Sequence, residues 1–320
     1  MSESAPTTTP PAVVSSLWPR LQPWLQLVRL PNVFTAFADI CLGALAAGAL
    51  PARWAPFLLL LLASGCLYAG GMVWNDFFDY AQDYKERPFR PLPAGKVSRS
   101  AAALFGAALL LLGIVFAGLA GWQRSYSPAL PAVVALVIVG CIFLYDFALK
   151  HTALGPLGMG ACRYWNVVLG LCAADQWGGM WGWHLAWIVG IYITGVTWFA
   201  RTEARQSKQA SLTGAAFTML AALVIALPLP AWFDADDAQP RGWLLFPYLL
   251  VAFGFALGLP LYHAIREPSP EKVQRAVKRC IMGLVVLDAI LALGLAGPPG
   301  LLILLLLVPA LYLGKWIYST

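Results

Sequence analysis

Apolar runs of about twenty residues recur from one end of the sequence to the other, separated by short polar or proline-rich breaks. As a helix rising about 1.5 Å per residue, each run is long enough to cross about 30 Å of hydrocarbon. The breaks predict ten spans, at residues 30–50, 55–79, 98–121, 129–149, 155–174, 181–201, 211–230, 243–264, 274–296 and 299–317. Gly297, Pro298, Pro299 and Gly300 divide the last two. Those prolines lack N–H donors, so a tight helical hairpin fits the break, with a single kinked helix as the alternative.

This pattern predicts an all-α, polytopic transmembrane bundle forming a single domain over residues 17–320. The first sixteen residues are polar and rich in Pro and Thr, without a basic stretch leading into an apolar core. They are expected to be a disordered cytosolic tail rather than a signal peptide. The following segment, Leu17 to Asn32, mixes Trp18, Trp24 and leucines with Arg20 and Arg29, a composition suited to the headgroup region. Composition sharpens the class. The chain of 320 residues is 60% hydrophobic and 11% charged, with a mean hydropathy of +0.72. A soluble domain carries about 25% charged residues, so that class is excluded.

The net charge of +6 does not point to nucleic acid, because the basic residues sit in short loops between spans. With the amino terminus in the cytoplasm, seventeen of the twenty-one Lys and Arg residues fall on that side. Only Arg53, Arg124 and Arg241 fall outside, and Arg163 lies within a span. This bias sets an orientation by the positive-inside rule. The expected placement is multi-pass in a bacterial cell membrane. Trp54, Trp122, Trp181, Trp183 and Trp316 stand at predicted span ends as an aromatic belt. The six cysteines show no CxxC spacing and read as small buried hydrophobes.

Against this background the stretch Asn75 to Asp83, NDFFDYAQD, is anomalous. An ionisable side chain near the hydrocarbon costs roughly 2.5–3.5 kcal/mol on insertion scales, so three acids there need a function or a counter-charge. If the second span continues helically, Asp76, Asp79 and Asp83 at i, i+3 and i+7 share one face. Such carboxylates repel one another unless a cation sits between them. Mg²⁺ suits a few carboxylates completed by phosphate and water, and Asn75 can add an amide oxygen. The next residues, KERPFRPLPAGKVS, bring Lys85, Arg87 and Arg90, with Pro88, Pro91 and Pro93 ending the helix. Acids followed at once by arginines suggest a metal–diphosphate site: carboxylates hold the metal, and guanidinium groups fork onto the remaining oxygens. A solvated charged loop is the bland alternative.

Here the chain resembles the UbiA superfamily of intramembrane prenyltransferases. The resemblance rests on NDFFDYAQD with RPFRPLPAG at 87–95, on VRLPN at 28–32, and on YDFALKH at 145–151. It implies a helical bundle around a cavity open to lipid, with two Asp-rich motifs binding a prenyl diphosphate through Mg²⁺ on the cytoplasmic face. It further implies that Asn75, Asp76, Asp79 and Asp83 form the first motif, that Arg87 and Arg90 assist the diphosphate, and that Tyr145 and Lys150 contact the leaving group. The second motif is atypical. Its expected loop reads TWFARTEARQSK, where Glu203 is the sole acid, surrounded by Arg201, Arg205 and Lys208. Glu203 is a candidate metal ligand, with the arginines replacing a second ion electrostatically.

Two further groups of polar residues stand out. Arg163 and Asn166 lie one helical turn apart inside the fifth span, where a buried Arg is costly unless it meets a polar cavity, so both are expected to line the site. Asp234, Asp236 and Asp237 fall on the opposite side and read as a solvated loop. The resulting expectation is Mg²⁺-dependent transfer of a prenyl group to an aromatic or other lipid-soluble acceptor. The alternative is a non-catalytic or divergent relative that binds lipid.

Overall fold

The computed structural model describes residues 18–176, 180–203, 206–229 and 244–317. The tail at 1–16, Arg205, Asp234, Asp236, Asp237 and Arg241 lie outside the described residues. Among those described there are helices and turns only. In chain order the helices are α1 (Trp18–Leu27), α2 (Leu30–Ala46), α3 (Trp54–Phe78), α4 (Tyr80–Glu86), α5 (Arg99–Trp122) and α6 (Leu130–Leu144). They continue with α7 (Gly155–Leu171), α8 (Met180–Ala200), α9 (Gln209–Ala226), α10 (Phe246–Arg266), α11 (Pro270–Ala296) and α12 (Leu307–Trp316). A π-helical turn, Tyr145–Leu149, extends α6, and a 3₁₀ stretch, Pro298–Leu306, leads into α12.

Each of the ten predicted spans meets one long helical segment. Among the described residues eight helices are long and apolar enough to cross a membrane, and α1 with α2, bent by 49° at their junction, pass the same test only when taken together. The exception is α7, which has 17 residues and carries Arg163 and Asn166. The protein is an integral, multi-pass membrane protein. Gly297, at φ 76°, breaks the chain after α11, and the 3₁₀ stretch packs back against α11 as a hairpin.

The bundle sorts its helices by burial. α11 runs through the middle, packed by α2, α8, α10 and the 3₁₀ stretch, and 72% of its apolar window is buried. α5, α6 and α10 are only 28% buried and present leucines and aromatics outward. Lipid is as apolar as leucine, so this outer face carries no penalty, and close helix contact must come from small residues. Gly43 of α2 shows the effect: a Cβ there would lie 2.6 Å from the backbone nitrogen of Leu171 on α7. α2 and α7 therefore touch backbone to backbone, which brings the polar side chains of their facing surfaces together.

One end of the bundle collects the carboxyl ends of α3, the α6 turn and α8 with the amino ends of α2, α7 and α11. Trp54 and Trp122, both exposed, mark the opposite end.

Candidate prenyl diphosphate site

α3 stops at Phe78 and α4 begins at Tyr80, but Asp79 keeps helical dihedrals and its N–H donates to the Asn75 carbonyl at 3.0 Å. The axis is therefore nearly continuous. At 3.6 residues per turn, Asp83 returns to within about 20° of Asp76, whereas Asp79 stands about 60° away. The contacts follow these angles. Arg90 Nη1 reaches Asp83 at 2.7 Å and Asp76 at 3.4 Å, while Lys150 Nζ pairs with Asp79. Of the three carboxylates, two share an arginine, and the third turns toward α6.

Arg90 is buried because its loop is pinned. Pro88, Pro91 and Pro93 end α4, turn hydrogen bonds close residues 87–97, and Leu92 and Val97 pack with Val73 under the loop. The guanidinium has little exit except toward the acids. Arg29 completes this half, donating to Asp76 at 3.0 Å. It precedes α2 with φ 49°, a left-handed backbone uncommon outside glycine, and Pro31 begins the helix just beyond. Asp83 sits in α4, where burial raises its carboxyl pKa and the Arg90 charge opposes that rise.

The other half is built on the π turn. The N–H of Lys150 donates to the Tyr145 carbonyl five residues back at 2.9 Å, the wider spacing that defines this turn. Asp146 accepts a 2.7 Å hydrogen bond from Asn75 Nδ2 and lies 4.0 Å from Lys150 Nζ. The Tyr145 ring lies 5.9 Å from that ammonium.

Glu203 follows α8 and meets Arg87 at 3.7 Å, while its carbonyl accepts from Gln274 of α11 at 3.3 Å. Burial raises the Glu203 pKa, opposed by Arg87. Arg87 is therefore engaged by the second loop rather than by the first acids. Arg201 is exposed at the end of α8.

Arg163 and Asn166 do not join this layer. Arg163 donates to Asp39 at 3.0 Å and to Thr35 at 2.6 Å; Asn166 donates to Asp39 at 2.8 Å and accepts from Ser64 at 2.8 Å. They lie deeper because Arg163 is eight residues into α7, about 12 Å along the axis. The Tyr68 ring, 5.3 Å from the Arg163 guanidinium, lies between the two layers.

Sequence reasoning passed over Arg29, Asp146 and Asp39 as site residues. Arg29 stands in the sequence within the interfacial segment and VRLPN, and Asp146 within YDFALKH. The available signal was Asp146 standing four residues before Lys150 at a span end.

The donor set suits Mg²⁺. Five carboxylates and four cations pair here in three groups: Asp76 and Asp83 with Arg29 and Arg90, Asp79 and Asp146 with Lys150, and Glu203 with Arg87. Among the described residues no three His, Cys, Asp or Glu side chains converge to enclose a metal. Mg²⁺ does not require such a cluster, since it binds through one or two carboxylates and takes its other oxygens from substrate phosphate and water.

A family model for the UbiA prenyltransferase family matches residues 36–284, and the chain belongs to that family. It is similar to the digeranylgeranylglyceryl phosphate synthase of Thermococcus kodakarensis, with 39% identity over 129 residues that cover 40% of this chain. The match spans 43% of that relative's length. The fold is similar to that of a solved digeranylgeranylglyceryl phosphate synthase, at a TM-score of 0.62 and 22% identity over 87% of this chain and 99% of the other. It is also similar to a UbiA homologue from Archaeoglobus fulgidus bound to GPP and Mg²⁺, at a TM-score of 0.59 and 14% identity, covering 82% and 99%.

Proposed function

We propose that this protein transfers a prenyl group from an allylic prenyl diphosphate to an aromatic or other lipid-soluble acceptor within the membrane, with Mg²⁺ as cofactor. The observation that carries this reading is the meeting of Asp76, Asp79 and Asp83 with Arg29, Arg90 and Lys150 at one end of α3. The bound ligands of the Archaeoglobus relative support the donor class. The bias of Lys and Arg in the sequence supports a cytoplasmic orientation for this end.

Asp76, Asp79 and Asp83 would hold the metal, with Asn75 and Glu203 as further oxygen donors. Mg²⁺, when bound, supplies neutralisation of the negative charge that gathers on the departing diphosphate. As the donor enters, Arg90, Arg29 and Lys150 exchange carboxylate oxygens for phosphate oxygens. Preorganised cations of this kind lower the barrier because they are already oriented when charge develops. Tyr145 contacts the leaving group beside Lys150. Arg87, with Arg201 and Arg205 flanking its partner Glu203 in the sequence, assists the outer phosphate. The allylic fragment becomes cation-like inside a bundle that excludes water, which limits hydrolysis.

The test is binding of labelled geranyl diphosphate to purified protein with and without Mg²⁺. Metal-dependent binding abolished by Asp79→Asn supports the site, and unchanged binding in that variant refutes it. A non-catalytic lipid-binding role is the second reading, favoured by Glu203 being tied to Arg87. Lipid extracts from cells with and without the gene distinguish the two: transfer requires a prenylated species that disappears with the gene.

A further inference from the structure

The deeper polar layer contains more acid than it has partners. Asp39 of α2 and Asp288 of α11 are both fully buried. The Asp39 Oδ2 atom accepts from Arg163 and Asn166, but no donor reaches its Oδ1 atom, and none reaches either oxygen of Asp288. α2 packs on α11, and the two carboxyl groups act on each other across that contact. Two carboxylates and one guanidinium leave a net negative charge in the bundle interior, where an uncompensated charge is strongly disfavoured.

We propose that Asp39 and Asp288 are a proton-binding site, holding one proton between Asp39 Oδ1 and an Asp288 oxygen. A single proton turns two acceptors into a donor and an acceptor and makes the cluster with Arg163 electrically neutral. It also needs no cavity, which a metal or organic ligand would.

The surroundings leave the proton to this pair. From α3, Tyr68 presents its ring to Arg163. From α2, Cys41 is the other ionisable neighbour of the pair. From α8, Tyr192 commits its hydroxyl proton to the Cys280 carbonyl of α11 at 2.8 Å. Asn166, the remaining polar neighbour on α7, spends its amide on Asp39 and the Ala36 carbonyl. The proton thereby fastens α11 to α2, and through Arg163 to α7, about two turns below the diphosphate layer. This site is separate from donor binding and stands whether or not transfer occurs.

The experiment is infrared difference spectroscopy of the full chain in lipid, read in the protonated-carboxyl C=O region with hydrogen–deuterium exchange. The wild type should show a protonated-carboxyl band at neutral pH that is lost in Asp288→Asn and equally in Asp39→Asn, since each removes half of the pair. Asp288→Asn, whose amide can donate to Asp39, should unfold within a few degrees of the wild type. If either variant fails to fold, the other and the wild-type spectrum still decide. Absence of the band in the wild type overturns the proposal. So does its persistence in a folded single variant, or a wild-type stability that rises with sodium and loses that dependence in Asp288→Asn, which would identify a metal cation.

Discussion

Replacing Arg90 with leucine isolates the charge balance of the site. Arg90 and Asp83 are both almost fully buried, and their contact at 2.7 Å is direct. In Arg90→Leu, Asp83 keeps its burial and loses its counter-charge, while Asp76 keeps Arg29. Breaking one partner of a buried pair typically costs about 3–5 kcal/mol. Asp83 has an escape, which is to take up a proton. From an unfolded-state pKa near 3.8, protonation at pH 7 costs about 4 kcal/mol at 1.36 kcal/mol per unit, and that is the ceiling on the deficit. The ceiling falls to under about 2 kcal/mol at pH 5.

The sign follows from the direction of the shift. Asp83 titrates above its unfolded value, so its burial is free of charge penalty at low pH and costs stability as pH rises through the folded pKa. Arg90→Leu steepens that loss. The assay is thermal unfolding in detergent with the metal chelated, followed by tryptophan fluorescence, at pH 5 and pH 7. The variant should be clearly destabilised at pH 7 and much less so at pH 5, and adding Asp83→Asn should recover at least half of the loss. A deficit that grows on acidification, or a double variant no better than the single, would falsify the account.

Other predictions address different links. Gly43→Val inserts side-chain atoms where even a Cβ would stand 2.6 Å from the α7 backbone, so it should lower folded yield and melting temperature, by about 3 kcal/mol or more, far beyond Gly118→Val, where the space is open. Arg124 donates to the carbonyls of Cys172, Ala174 and Asp175 at the end of α7 away from the motif. Arg124→Leu should cost about 2–4 kcal/mol, from unpaired buried carbonyls, in the same unfolding assay. Arg53→Ala, which removes a more exposed pair with Asp175, should cost under about 1 kcal/mol. Arg29→Gln should weaken Mg²⁺-dependent geranyl diphosphate binding by about tenfold, the loss of one charge-assisted contact, as read by isothermal titration. Unaltered affinity would remove Arg29 from the site.

The helices were legible in sequence because lipid imposes a simple rule: every span must be apolar and long enough, and no partner is needed to reveal it. The first motif stood out for the converse reason, since acids at a span end are costly without a function or a counter-charge. Individual partners were not. Angular spacing placed Asp76, Asp79 and Asp83 on one helical face, but it gave no means of knowing that α6 would end in a π turn and bring Lys150 to Asp79. Arg163 and Asn166 were recognised as polar residues in a hydrocarbon setting. Asp39, the carboxylate they serve, lies more than a hundred residues earlier.

The sequence by itself determined the membrane class and the helical bundle, because each rests on local composition and periodicity. The tertiary structure decided which charge meets which: Arg90 with Asp83, Lys150 with Asp79, Arg87 with Glu203, and Arg163 with Asp39. Ion pairing acts over a few ångströms between groups far apart in the chain, so it exists only once helices such as α2 and α7 have come within glycine contact.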